Sequence, residues 1–339
     1  MKDIKEYKTH TQQGILLNAN EMSDNLSLSI LKEIQNGILN LDFNRYPDND
    51  CILLREAYST LLNIRIENVL AGNGSDQILG LLIGYFLKEG KTLLTLDPDF
   101  SMYDYYCGTY EANLLKYPTR DDGSFDVENF IRFAIDNKVD MILFSNPNNP
   151  TGFMLTNEEI KVMLERLNTI PVVIDEAYAE FAKESAIELI DQFDNLYITR
   201  TLSKAYALAG ARVGFLVSNE INIKQIHIAN VPYVLNCVSQ MIAEITLKHV
   251  EEFNNRIESI KKKRDELIHS NYKSIYIYES QANFVKVKCK DLNKMYAYFD
   301  QNNVVVRKYA GKDYFRLTIG NDQEYKLIKK IFDQYEKVV

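Results

Sequence analysis

Read as a string of apolar and polar positions, the chain changes grain along its length. Residues 1 to about 30 carry no strong core pattern, and the first helical period comes at "SLSILKEIQNGILNL" (residues 27–41). "NRYPDND" interrupts it, because Pro47 and the Asx cluster predict a loop before "CILLREAYSTLLNI", which again repeats at helical spacing. "NVLA" predicts a short strand, "GNGS" a tight turn, and the residues from Asp76 onward a buried helix. Continuous apolar runs then alternate with helical segments: "KTLLTL", "MILF", "PVVIDEAY", "NLYITRTLSK" and "RVGFLV" predict strands, and "NEEIKVMLERL" predicts a helix capped by Thr156. Such alternation predicts an α/β fold, a mostly parallel sheet covered on both faces, with ligands at the carboxyl ends of its strands.

Beyond about residue 240 the pattern becomes that of a smaller α+β unit. A long charged helix is predicted over residues 239–268, then "SIYIYESQANFVKVK", another helix, the strand pair "NVVVRKY" and "YFRLTIG", and a C-terminal helix. The predicted organisation is an arm at 1–30 that contributes to the small domain, a large domain at 31–240 and a small C-terminal domain at 241–339.

Composition narrows the classes. At 339 residues the chain can bury a proper core without disulfide or metal staples, and 46% hydrophobic with 25% charged residues is ordinary for a globular protein. The formal charge of -8 argues against an extended nucleic-acid surface, so no nucleic-acid partner is expected. The apolar segment "ILGLLIGYFL" (78–87) is far short of the roughly 20 residues that span a bilayer, so no membrane association is expected. Four scattered cysteines read as free thiols of a reducing compartment, and a polar N-terminus without a signal-peptide core points to the cytoplasm. The four histidines sit in no metal motif, so no metal is expected.

Three features carry candidate chemistry. The turn "GNGSD" (Gly72–Asp76) opens a helix and would present backbone N–H groups to an anion, although it has neither the dinucleotide fingerprint nor the P-loop lysine. Asp175 ends a strand that otherwise reads as buried, so it either caps a following helix or faces a cationic partner. Lys204 stands in "TLSKAYALAGAR" among small residues; a desolvated amine there could act as a nucleophile, whereas most lysines are solvated and inert.

The ordered set "AGNGSD", "SNPNNPTG", "VVIDEAY", "TLSKAYALAGARVGF" and "FRLTIG" resembles the fold-type I aminotransferases that use pyridoxal 5'-phosphate, and within them the histidinol-phosphate aminotransferase family. The match runs in order across nearly the whole chain. The resemblance implies that Lys204 forms a Schiff base with the cofactor and moves the proton, that Asp175 pairs with the pyridine nitrogen, and that Asn148 and Tyr178 hydrogen-bond the ring hydroxyl. It implies a phosphate site from Gly74, Ser75, Asp76, Thr201, Ser203 and Arg212, and an aromatic cover from Phe100, with Tyr103 as the other candidate. Arg316 would grip the substrate carboxylate and Arg307 a substrate phosphate, with Asn20 of "LNANE" in the covering arm. Tyr46 of "NRYPD" would reach a neighbouring subunit, implying a homodimer with shared active sites and small amino-acid and keto-acid substrates.

Two departures stand out: no proline follows "NANE", and Lys308 follows Arg307 where aspartate is frequent. The expected reaction is transamination between L-histidinol phosphate and 2-oxoglutarate, in histidine biosynthesis. Threonine-phosphate decarboxylation, aromatic amino-acid transamination and a cofactor-binding regulator are the alternatives.

Overall fold

Short apolar runs too brief for helices pair into two sheets. A computed structural model describes residues 13–338 of the chain. The arm strand β1 (Ile15–Leu17) comes first in the chain, ahead of the strands of the larger sheet. The larger sheet is built from β2 (Val69–Gly72), β3 (Thr92–Asp97), β4 (Asn113–Pro118), β5 (Met141–Ser145), β6 (Val172–Asp175), β7 (Leu196–Thr201) and β8 (Gly214–Val217). Its order is β2-β8-β7-β6-β5-β3-β4; the five strands from β7 through β4 are parallel, and β8 runs antiparallel to both neighbours. Every residue of β5, β6 and β7 is buried, as uninterrupted apolar runs require when helices cover both faces.

The covering helices follow from periodicity and caps. α1 (Leu28–Ile38) and α2 (Ile52–Leu62) precede β2, and α3 (Gly74–Phe86), α4 (Met102–Thr109) and α5 (Val127–Asp136) alternate with the strands that follow. α6 (Asn157–Arg166) opens on a capping box: Thr156 accepts from the Glu159 N–H while the Glu159 carboxylate accepts from the Thr156 N–H. α7 (Glu220–Ala229) leads to the stretch that the sequence predicts as one long helix.

That stretch is two helices, α8 (Cys237–Leu247) and α9 (Val250–Ile268), broken at Lys248 and His249. No glycine or proline marks the break. Packing sets it: α8 lies against α1 and α2, whereas α9 lies against the turn Ala179–Phe181 and the small sheet. His249 Nε2 sits 2.8 Å from Glu33 Oε2 and pins the corner.

The smaller sheet is β1-β11-β12-β10-β9, where β9 is Ile275–Ile277, β10 Phe284–Cys289, β11 Val304–Lys308 and β12 Tyr314–Thr318. Helices α10 (Leu292–Gln301) and α11 (Asp322–Glu336) pack on it. The arm strand joins it: Ile15–Leu17 runs parallel to Val304–Val306. That pairing delivers the next residues, Asn18 to Glu21, to the space between the two sheets. No helix among the described residues is long and apolar enough to cross a membrane.

Candidate active site

The carboxyl ends of the parallel strands face β11 and β12 across a cavity of about 440 Å³. Its floor is Asp175, the last residue of β6. The carboxylate accepts hydrogen bonds from the Tyr103 hydroxyl (2.9 Å) and Thr199 Oγ1 (3.0 Å). Burial outweighs both bonds and raises its pKa from the usual 3.8 to about 6. A cation placed against Asp175 would restore the charged form.

Lys204 stands just beyond the end of β7 and reaches into the same cavity, its Nζ donating to the Ala19 carbonyl at 2.8 Å. Burial, then the cations of Arg316 and Arg212, lower its pKa from 10.5 to about 8, against the opposing pull of Glu21 and Asp76. The amine is thus poised to lose its proton near neutrality.

One end of the cavity is built for an anion. Ser75 and Asp76 occupy the first turn of α3, where N–H groups have no intrahelical partner, and Asn73 at the cap makes no side-chain bond to them. Gly74 has φ +76, and a Cβ there would lie 2.6 Å from Arg212 Nη2. Thr201, Ser203 and Arg212 complete this end; the Thr201 hydroxyl donates to Ser203 Oγ (2.9 Å), and Arg212 pairs with Asp76 at 2.9 Å.

The opposite end carries Arg307 and Arg316, register partners on β11 and β12. Arg316 is buried; it donates through Nη1 to Asn149 Oδ1 and through Nη2 to the Asn18 carbonyl at 2.6 Å, while its Nε has no partner among the described residues. Tyr178 lines the cavity between these ends, and its hydroxyl accepts from Asn20 Nδ2 at 2.9 Å. Burial pushes that phenol up to about 12, so it stays protonated and can donate.

Asn148, Asn20, Tyr103 and Tyr46 do not line this cavity. The Asn148 side chain turns into its own loop, accepting from Thr151 Oγ1 (2.7 Å) and donating to the Pro98 carbonyl (3.3 Å); Asn149, its neighbour, lines the cavity instead. Asn20 lies behind Tyr178 as its support, with Asn18, Ala19 and Glu21 at the cavity wall. Tyr103 is fully buried beneath Asp175, so of the two aromatic candidates only Phe100 faces the cavity. Tyr46 is 81% exposed, stacked on Tyr233 at 4.6 Å, and takes no part in this chain's cavity.

Some cavity residues were not singled out from sequence at all. Asp99, Ser145 and Asn149 stand inside the quoted motifs "DPDF" and "SNPNNPTG", but which members point inward depends on the path of each loop. Glu21 closes the quoted motif "LNANE", and Lys312 carries no signal beyond its charge.

Residues 12–330 match the family model described as aminotransferase class I and II. The chain belongs to the class I and II aminotransferases. It is 38% identical over 315 residues to a histidinol-phosphate aminotransferase of Clostridium kluyveri, covering 91% of this chain and 90% of that one. Among solved structures, it resembles the histidinol-phosphate aminotransferase of Sinorhizobium meliloti in complex with pyridoxal-5'-phosphate (TM-score 0.85, 24% identity, 96% of this chain and 91% of that one). It also resembles the L-threonine-O-3-phosphate decarboxylase of Porphyromonas gingivalis (TM-score 0.79, 21% identity, 95% and 99%). The fold is the fold-type I arrangement that the sequence motifs implied.

In this aminotransferase the residues fit a phosphorylated pyridine aldehyde by their chemistry. An amine of lowered basicity, a buried carboxylate short of a cation and an uncapped helix start all open onto one cavity.

Proposed function

We propose that this aminotransferase uses pyridoxal 5'-phosphate to exchange the amino group between L-histidinol phosphate and 2-oxoglutarate, the biosynthetic direction being imidazole-acetol phosphate plus L-glutamate. The observation that carries the reading is the single cavity in which Lys204 and Asp175 lie between an anion-accepting helix start and a pair of arginines. The name of the Clostridium kluyveri relative supports the choice of substrate.

When bound, pyridoxal phosphate supplies an aldehyde that takes up the amino group and a ring that accepts the electron pair released at the substrate α-carbon. The chain supplies the rest. The first turn of α3 with Thr201, Ser203 and Arg212 would hold the phosphate, Phe100 would cover one ring face, and Asp175 would keep the ring nitrogen protonated. Tyr178 and Asn149 are the donors available to the ring hydroxyl, with Asn149 replacing the expected Asn148. Arg316 grips the substrate carboxylate or its counterpart, and Arg307 a substrate phosphate. Held against these groups, the α-hydrogen faces the Lys204 amine, which takes the proton at Nζ and returns it on the neighbouring carbon.

The arm, large and small domains divide at about residues 30 and 240 in this reading, which the two separate sheets support. The partner is a second copy of the chain, a reading supported by exposed large apolar side chains, among them Leu39, Phe43, Tyr46 and Ile228. A cytoplasmic setting is supported by four free thiols.

The test is a panel of amino donors and keto acids, including imidazole-acetol phosphate, followed by cofactor absorbance. Glutamate-driven conversion completed by imidazole-acetol phosphate is expected. Carbon dioxide release from threonine phosphate without a keto acceptor would replace this reading with the decarboxylase. Arg307→Ala should weaken histidinol phosphate roughly tenfold or more relative to an unphosphorylated aromatic amino acid; equal losses would remove its phosphate role.

A further inference from the structure

Asp99 follows β3 and lines the cavity beside Phe100. Among the described residues its carboxylate has no charged partner in hydrogen-bond contact. It accepts instead from the Phe100 N–H (2.8 Å), from Ser145 Oγ, and from the Ser145 N–H (3.2 Å). Ser145 Oγ in turn accepts from the Asn149 N–H at 2.8 Å. Asn149 Oδ1 receives Arg316 Nη1. A continuous chain of hydrogen bonds therefore runs from the backbone of Phe100, through Asp99 and Ser145, to Asn149 and the guanidinium of Arg316. It crosses from the loop after β3 to the loop after β5 and ends on β12 of the other sheet. Burial, with Asp175 adding like charge, raises the Asp99 carboxyl to about 8 in spite of its three donors.

We infer that Asp99 is a positioning residue for the amino-acid end of the site, setting the pose of Asn149 and, through it, of Arg316, by clamping Ser145. This rests on the transamination reading given above. Loss of the clamp frees the Ser145 hydroxyl to rotate and the Asn149 turn to shift. Arg316 then loses the one side-chain acceptor that orients its Nη1 and meets the substrate carboxylate in a broader range of poses. Asp99 makes no bond to Lys204 or Asp175, so the proton transfer itself keeps its groups.

The functional arm is steady-state kinetics on the cofactor-loaded enzyme for Asp99→Ala, Asn149→Ala and the double variant. Asp99→Ala should raise KM for glutamate by roughly tenfold, the equivalent of one lost hydrogen bond to a charged group, while kcat stays within about threefold. The double variant should be no worse than the weaker single variant, because both act on one contact. Multiplying losses, or a fall in kcat at unchanged KM, would overturn the inference. Asp99→Asn keeps one acceptor oxygen and should give an intermediate KM, which serves where the alanine variant fails to fold.

The second arm is independent of activity. Hydrogen exchange of the amides of Ser145, Asn146, Asn148 and Asn149 should quicken about tenfold in Asp99→Asn, with or without cofactor, and unchanged protection overturns the clamp. Wild-type enzyme that fails to transaminate while this loop loosens in the variant would remove the functional reading and leave the clamp standing.

Discussion

At the scale of single residues, two of the ionisations that the cavity shifts, those of Lys204 and Asp175, each make a prediction. The Lys204 amine, lowered to about 8, is half deprotonated there rather than near 10.5. The rate at which cofactor-free protein takes up pyridoxal phosphate should therefore rise with pH to a midpoint near 8 and then level off. A rise continuing toward 10.5 would mean an ordinary solvated lysine; Lys204→Ala should remove the covalent absorbance band and turnover altogether. Asp175 is shifted the other way, from 3.8 to about 6. The folded state then binds more protons than the unfolded one between those values, so its contribution to stability is present below 3.8 and lost as pH rises through 6. Above pH 6, cofactor-free protein carries a buried anion at a cost of up to about 3 kcal/mol. Asp175→Asn should accordingly raise the melting temperature of cofactor-free protein at pH 7.5, less so at pH 4, while cutting turnover by roughly a hundredfold or more. A destabilised variant with preserved turnover would make Asp175 a purely structural carboxylate. Sequence went far at this scale for Lys204 and Asp175, because both sit at strand ends inside ordered motifs. It could not separate Asn148 from Asn149, nor Phe100 from Tyr103, since adjacent loop residues differ only in the direction that tertiary contacts give them.

At the scale of elements, periodicity carried the alternation of strands and helices, and the Thr156 cap was readable from its Glu159 partner. The break between α8 and α9 was not, because it comes from two packing partners rather than from any residue in the break. The arm's contribution to the small domain was legible but its strand was not: three residues, Ile15–Leu17, make β1, held by pairing to Val304–Val306 and by the buried Leu17. The anion end of the cavity rests on one close approach. Gly214 opens β8 opposite Gly72, and a Cβ on it would lie 2.2 Å from the Ser75 nitrogen and 2.4 Å from the Gly74 carbonyl carbon. Backbone cannot yield there as a flexible side chain could. Gly214→Ala should therefore push the first turn of α3 away, weakening pyridoxal phosphate binding by at least about tenfold and lowering thermal stability by roughly 1–3 kcal/mol. Gly210→Ala, where nothing lies within 4 Å, should do neither. Equal behaviour of the two variants would show that the close approach is not needed.

At the scale of the whole molecule, the unexplained feature is Tyr46. It is exposed, stacked face to face on Tyr233, and the loop that carries it is tied down: the Asn49 side chain accepts from the Tyr233 N–H at 2.8 Å, and Gln240 donates to the Asp48 carbonyl at 2.9 Å. Phe43, three residues earlier, is 65% exposed, and Ile228 on α7 is 86% exposed. A held loop that presents aromatic and aliphatic side chains to solvent is better matched to a partner surface than to water. If that partner is a second copy and Tyr46 enters its cavity, each site needs Tyr46 from one subunit and Lys204 from the other. Two variants, Tyr46→Ala and Lys204→Ala, then distinguish the arrangements. Each homodimer is impaired at both of its sites. After the two are mixed, dissociated and reassociated, half of the dimers are mixed, and each mixed dimer has one site with both defects and one with neither. Roughly a quarter of the sites should then be intact, so activity should return to about a quarter of wild type. A site completed within one chain gives no such recovery, because every Lys204-bearing subunit would still lack its own Tyr46. Ile228→Glu supplies the control: it should shift sedimentation toward the monomer and reduce activity in parallel, whereas full activity in a monomer would mean that each chain works alone.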